Sequence, residues 1–234
     1  FADNFQTALK PQITKSYAQG NYDYMHKLIF QGSRLSYYIL FILALPIICN
    51  THYILQLWLG QVPAHTEFFV QLILVFTMSE SLANPLITAM LATGKIRNFQ
   101  IIVGGLNLLN LPISYIALRL GAIPEIVIIV AIFISILCEF ARILLLRNMI
   151  GLPARKFIRH VYFNVITVSI IACIFPIWLH KQIDENFINF IIVSIVAFIC
   201  TLITILFIGC NKDERLFIYN QIQTRYHKYN RKHS

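Results

Sequence analysis

Long apolar stretches alternate with short polar ones along most of the chain. None of the apolar stretches shows the period of two that is typical of barrel strands. Because lipid offers the backbone no hydrogen-bond partners, stretches of this length must be helices. The pattern predicts an all-α fold, a polytopic membrane helix bundle with six transmembrane helices. They cover residues 35–57, 68–92, 99–119, 124–147, 161–179 and 187–210.

Composition supports a membrane protein. Of the 234 residues, 58% are hydrophobic and 12% are charged, whereas soluble domains carry about 25% charged residues. The five cysteines lie in or beside apolar runs without C-x-x-C spacing, which indicates buried apolar residues rather than disulfides or metal ligands. Hydrolase, metalloprotease and P-loop motifs are missing from the sequence, so we expect no enzymatic activity, catalytic residue, cofactor or metal.

The positive charges are distributed unevenly between the loops. Of the 19 Lys and Arg residues, 16 fall before the first run, between the second and third, around the end of the fourth, and after the sixth. The other loops hold only Arg119 and Lys181. The positive-inside rule therefore predicts that both ends are cytoplasmic and that the turns near residues 62, 122 and 184 are external. This placement favours a membrane over a nucleic-acid partner.

The first 34 residues are polar. We expect residues 1–9 to end a preceding membrane helix and residues 14–31 to form a helix on the cytoplasmic membrane surface, with a plain polar linker as the alternative. Because the chain opens at Phe1 without an initiator methionine or a leader pattern, we also expect it to be part of a longer protein.

Ionisable residues inside the spans are the best functional candidates, because each costs about 2.5–3.5 kcal/mol on insertion scales. Glu80 lies near the middle of the second span, one turn before Asn84 and Pro85. The spacing puts Glu80 and Asn84 on one face, and the proline frees a backbone carbonyl. These groups predict a site for a proton, Na⁺ or the polar part of a substrate. The alternative is a structural hydrogen bond between helices.

Two more polar pairs lie in the third and fourth spans. Glu139 and Arg142 are three residues apart, which indicates either a neutral intrahelical ion pair or an arginine that faces a cytoplasmic cavity and binds phosphate. Asn107 and Asn110 follow Gly104 and Gly105, a pattern typical of a close polar contact between helices. The alternative is that both asparagines line the substrate or ion pathway.

Five strings of the sequence are informative together: ALKPQITKSYAQGNYD (8–23), LWLG (57–60), NPL (84–86), ATGKIRNFQ (92–100) and GLNLLNLPISY (105–115). They resemble the second half of polysaccharide and O-antigen flippases. This family belongs to the superfamily of the multidrug and toxin extruders and the lipid II flippases, and the likeness covers most of residues 4–160.

The resemblance implies two six-helix lobes that face each other across a central cavity, followed by an extra helix pair. Residues 1–147 would complete the second lobe, residues 148–234 would form the extra pair and a basic cytoplasmic tail, and the N-terminal lobe would lie outside this sequence. Arg142 would correspond to a phosphate-binding arginine of the family.

The function implied by the resemblance is translocation of undecaprenyl-pyrophosphate-linked oligosaccharides across the bacterial inner membrane by alternating access. Protons or Na⁺ would couple the cycle through Glu80 or Glu139. Two alternatives stay open: a cation-coupled multidrug extruder, and a non-transport membrane subunit of polysaccharide assembly.

Overall fold

The computed structural model describes residues 2–211 and 214–215, and within these residues it contains helices and no strand. Most of the basic tail predicted at the end of the chain therefore lies outside the described residues. The helices are α1 (Ala2–Ala18), α2 (Tyr22–Cys49), α3 (Thr51–Leu59), α4 (Thr66–Ala92), α5 (Ile96–Leu108), α6 (Asn110–Arg119), α7 (Ile126–Ile150), α8 (Ala154–Phe157), α9 (Asn164–His180) and α10 (Phe187–Thr204). The π-helical segment Ile158–Phe163 connects α8 to α9, and a second one, Ile205–Gly209, extends α10.

Six segments are long and apolar enough to cross a membrane, which confirms the predicted all-α polytopic bundle and makes the chain a multi-pass membrane protein. They are α2, α4, α5 with α6, α7, α8 with α9, and α10 with its π-helical end.

The start of the first span differs from the prediction. A surface helix over residues 14–31 is wrong, because α1 ends at Ala18 and α2 runs without a break from Tyr22 to Cys49. The break lies at Gly20, whose φ of +69° ends α1 in the left-handed region. Asn21 then caps α2 by accepting a hydrogen bond from the Tyr24 amide at 3.2 Å.

Two predicted spans are interrupted. The first stops at Asn50, whose backbone and side-chain amides both donate to the Pro46 carbonyl, and α3 continues from there. The third is divided at Leu109, three residues before Pro112. Pro112 has no amide hydrogen to donate to the carbonyl of Leu108, so the interruption at Leu109 lies where the helical hydrogen-bond ladder is already weakened.

The bundle is built around α2 and α4, which pack against each other and against α1. Their closest approach is at Gly32, where a Cβ atom would lie 2.9 Å from Leu9 Cδ1 and 3.1 Å from Pro85 Cγ. On one side α9 and α10 pack together and against α2, and on the other side α7 packs against α4, α5 and α6. The third span is the least covered of the six, because only 11% of its apolar 18-residue stretch is buried.

The turns predicted to be external meet at one end of the bundle. His65 Nδ1 lies 2.6 Å from Glu125 Oε1, which joins the first turn to the second. His52 lies between Glu67, at 3.3 Å, and Glu185 of the third turn, at 3.9 Å. The alternation predicted from the charges therefore agrees with the fold, while the side on which each end lies, and the domain boundary at residue 147, stay predictions.

Candidate functional site

The inner face of α7 carries a buried ion pair. Arg142 Nη1 donates to Glu139 Oε1 at 3.1 Å, and the two residues are 4% and 3% exposed. Buried side chains recur along this face at intervals of three and four residues, as expected for one side of a helix. The intrahelical pair predicted from the spacing is therefore present.

Tyr162 completes this pair and was not among the residues predicted from the sequence. Its hydroxyl donates to Glu139 Oε2 at 2.8 Å, so both carboxylate oxygens of Glu139 are engaged. The tyrosine belongs to the π-helical segment Ile158–Phe163, and its ring packs edge-on against Phe157 with the centroids 5.8 Å apart. Nothing in the sequence pattern links Tyr162 to Glu139, because the contact depends on how two separate spans cross.

A second carboxyl group lies beside the pair. The Ser135 hydroxyl donates to Glu80 Oε1, which joins α7 to α4. Ser135 is one helical turn before Glu139, so Glu80 lies next to the ion pair. The resulting polar cluster consists of Glu80, Ser135, Glu139, Arg142 and Tyr162. It holds two carboxyl groups and one guanidinium, so it is electrically neutral only when one carboxyl group carries a proton.

Glu80 and Asn84 occupy a face of α4 that the described chain only half covers. Both residues have intermediate exposure, whereas their neighbours Met78, Ser81 and Leu82 are buried. The prediction that Glu80 and Asn84 share a face is consistent with this pattern.

Pro85 does not contribute to that face. The proline is buried against Gly32 of α2, and the nearby Leu82 carbonyl accepts a hydrogen bond from Ser33 of α2 at 2.8 Å. This part of α4 therefore serves helix packing, and the part played by the carbonyl that Pro85 frees one turn back, at Ser81, stays a prediction.

Arg142 does not face an open cavity. At 4% exposure it is enclosed in the bundle, and Glu139 of its own helix binds the guanidinium. Within the described residues the intrahelical pair encloses this arginine, and the alternative of phosphate binding from a cytoplasmic cavity stays a prediction. One feature of the side chain remains unsatisfied: Arg142 Nε is buried without a hydrogen-bond partner in the described part of the chain.

Asn107 and Asn110 do not form a close contact with another helix of this chain. Asn107 is exposed, and Asn110 accepts a hydrogen bond from Ser114 of its own helix at 3.1 Å. A Cβ atom added at Gly104 or Gly105 would meet nothing within 4 Å. The predicted close contact is wrong within the described chain, because α5 and α6 have only α7 as a substantial neighbour.

A second buried charge pair joins the first span to the end of the last. Arg34, 3% exposed, donates to Glu214 Oε1 at 2.6 Å, and Glu214 Oε2 accepts from the Asn211 amide at 2.7 Å. In the sequence Arg34 directly precedes the first apolar run, so the pattern identifies it only as one of the loop cations. One turn further along α2, the Tyr38 hydroxyl donates to Asn164 of α9.

Comparison with known proteins adds no relative, since no family model, curated protein or solved structure matches the chain.

Proposed function

We propose that this chain is one lobe of a membrane transporter, the second lobe of a flippase for lipid-linked oligosaccharides. The observation that carries the proposal is the half-covered polar face formed by Glu80 and Asn84 in the middle of α4, next to the buried pair of Glu139 and Arg142.

A carboxyl group in contact with hydrocarbon is unfavourable by about 2.5–3.5 kcal/mol. A face that presents both a carboxyl group and an amide at mid-span is therefore expected to meet water or protein rather than lipid. In transporters with two lobes, a water-filled cavity between the lobes provides this environment. The interruptions at Asn50 and Leu109 also fit a protein whose helices bend during a cycle.

Two properties of the polar cluster suit the transport of a pyrophosphate-linked substrate. The unpaired Nε of Arg142 is a hydrogen-bond donor that an anion would satisfy. The excess of one carboxyl group over the guanidinium lets the cluster take up one proton or Na⁺, which would couple the return step to an ion gradient. The choice of lipid-linked oligosaccharides as the substrate class rests on the resemblance to the flippase family, which is carried by residues 8–23, 57–60, 84–86, 92–100 and 105–115.

A cation-coupled drug extruder is the second candidate, and one observation favours it. The charged group on the half-covered face is the carboxyl of Glu80, whereas Arg142 is enclosed. A cavity lined by a carboxylate attracts cationic drugs, whereas a flippase cavity must attract pyrophosphate.

The test is complementation of a bacterial strain that lacks its own O-antigen flippase, with the complete protein that carries this chain. Glu80→Gln keeps the size of the side chain and removes its charge, and Arg142→Ala removes the guanidinium. Glu67→Gln is the matched control, because Glu67 is an exposed carboxylate at the end of the same helix. Surface polysaccharide and lipid-linked intermediates are measured in cells with equal amounts of protein in the membrane.

We expect the wild type and Glu67→Gln to restore surface polysaccharide, and Glu80→Gln and Arg142→Ala to accumulate the lipid-linked unit inside. Normal surface polysaccharide in both site variants would overturn the site assignment. A wild type that restores no polysaccharide but confers resistance to cationic dyes, lost in Glu80→Gln, would establish the extruder instead.

A further inference from the structure

A cavity of about 280 Å³ opens at the end of the bundle opposite the His65 turn. It lies between the first turns of α2, the start of the fifth span at α8, and Asn211 after the sixth span. The charge pattern predicts that all three of these segments lie at the cytoplasmic surface. The cavity is separate from the polar cluster around Glu139, none of whose residues lines it.

The lining of the cavity is basic. Among the lining residues that the structure describes, Lys27, Arg34 and Lys156 contribute positive charges, His26 and His160 add imidazoles, and Asp23 is the one acidic residue. Glu214 balances part of the charge through its ion pair with Arg34. The cavity therefore keeps an excess of positive charge.

Arg34 supplies an independent indication of a ligand. The side chain lines the cavity and is 3% exposed. Its Nη2 is bound to Glu214 and its Nη1 lies 3.5 Å from the Gly209 carbonyl. Its Nε, however, is buried with no hydrogen-bond partner in the part of the chain that the structure describes. Buried donors of this kind are rarely left unpaired in proteins, so an acceptor that reaches this nitrogen would complete the hydrogen bonding of Arg34.

The segment that supplies Lys156 and His160 to the cavity also carries exposed apolar side chains outside it. Lys156 and His160 are exposed. On the same segment Ile158 is 41% exposed and Phe163 is 69% exposed. Exposed cations beside exposed apolar side chains, at the level of a membrane surface, are typical of contact with anionic lipids.

We propose that this cavity binds a phosphate group, presented by the headgroup of an anionic phospholipid. The phosphate accepts hydrogen bonds from Arg34 and Lys156, and the acyl chains lie along the apolar surface of Ile158 and Phe163. The bound lipid holds the cytoplasmic ends of the first, fifth and sixth spans together. This site does not depend on the proposed transport activity.

The experiment is a lipid titration of the complete protein in neutral detergent, followed by native mass spectrometry. The probes are phosphatidylglycerol, phosphatidylcholine and inorganic phosphate. Lys156→Gln removes an exposed cation at the rim. Lys95→Gln is the matched control, since Lys95 is an exposed cation at the same predicted membrane surface but outside the cavity. Arg34→Gln is the second variant, with its fold checked by circular dichroism.

We expect the protein to bind phosphatidylglycerol more tightly than phosphatidylcholine. Lys156→Gln should lower the affinity for phosphatidylglycerol about fivefold, because this is the contribution of one cation near a membrane surface. Lys95→Gln should bind like the wild type. Failure of inorganic phosphate to displace the lipid would identify the headgroup as the source, and displacement would assign the same chemistry to free phosphate. Equal losses in Lys156→Gln and Lys95→Gln, or equal affinity for the two lipids, would overturn the proposal.

Discussion

Replacing Arg142 should destabilise the protein more than replacing Glu139. Both side chains are at most 5% exposed, so solvent does not screen their interaction. Removing one partner of such a pair costs about 3–5 kcal/mol, because the other charge stays buried without compensation. Arg142→Leu leaves two carboxyl groups, Glu139 and Glu80, without a cation. Glu139→Gln leaves Glu80 as the remaining carboxyl group of the polar cluster, and the amide oxygen of the new side chain still accepts the hydrogen bond from Tyr162, so its cost should be about half as large.

The assay is thermal unfolding of the complete protein in detergent, followed by size-exclusion chromatography of a fluorescent fusion. For a chain of this size about 1 kcal/mol corresponds to roughly 2–4 °C in Tm, so Arg142→Leu should lower Tm by about 10 °C. The double variant Glu139→Gln/Arg142→Leu has lost both charges, so its Tm should recover more than half of the decrease caused by Arg142→Leu alone. Arg97→Leu is the control, as an exposed cation at the start of α5, and its effect should stay within about 0.5 kcal/mol.

The double variant decides whether the two charges are coupled. If the losses of the two single variants simply add in the double variant, or if Glu139→Gln costs as much as Arg142→Leu, the charge balance derived for the polar cluster is wrong.

Three further outcomes follow from the packing and the topology. Gly32→Ala should lower the free energy of unfolding by about 1–3 kcal/mol, because its Cβ would lie 2.9 Å from Leu9 Cδ1 and 3.1 Å from the Pro85 ring. Gly104→Ala has open space and should raise that free energy by up to about 1 kcal/mol. Comparison of the Tm values of the two variants checks both. Tyr162→Phe should lower stability by about 1–2 kcal/mol through loss of its bond to the buried carboxylate, and an unchanged Tm would contradict that bond. His65→Cys, at a side chain that is 48% exposed, should react with an impermeant maleimide in intact cells, whereas Lys95→Cys should react only after lysis; the opposite result would invert the predicted orientation.

The spans could be predicted because hydropathy is a local property. Six apolar runs require six helices in lipid whatever their neighbours are, and the structure places a helix over each of them. The ends of the spans were less predictable. The apolar pattern gives no sign that α2 extends back to Tyr22, since the first turns of this helix are polar and the turn at Gly20 and Asn21 sets its boundary.

The contacts of the candidate site also include some that the sequence could predict and others that it could not. The pair of Glu139 and Arg142 was predictable because contacts three residues apart depend on one helix alone. Ser135 bonds to Glu80 across 55 residues of sequence, and Tyr162 bonds to Glu139 across 23. Such contacts follow from the crossing of separate helices, which no local pattern encodes. Arg34 is the extreme case, because its partner Glu214 is 180 residues away.

The contacts of the fifth and sixth spans bear on the predicted boundary at residue 147. Tyr37 and Tyr38 of α2 bond to Ser169 and Asn164 of α9, and Arg34 is neutralised from beyond the sixth span. An extra helix pair that merely accompanied the lobe would not need to supply the counter-charge for an arginine inside it. Because an uncompensated buried arginine is strongly destabilising, the first span depends on the last one for its stability. The first span and the end of the sixth therefore form one electrostatic unit, and any motion of the proposed transport cycle must either keep the ion pair of Arg34 and Glu214 intact or replace it.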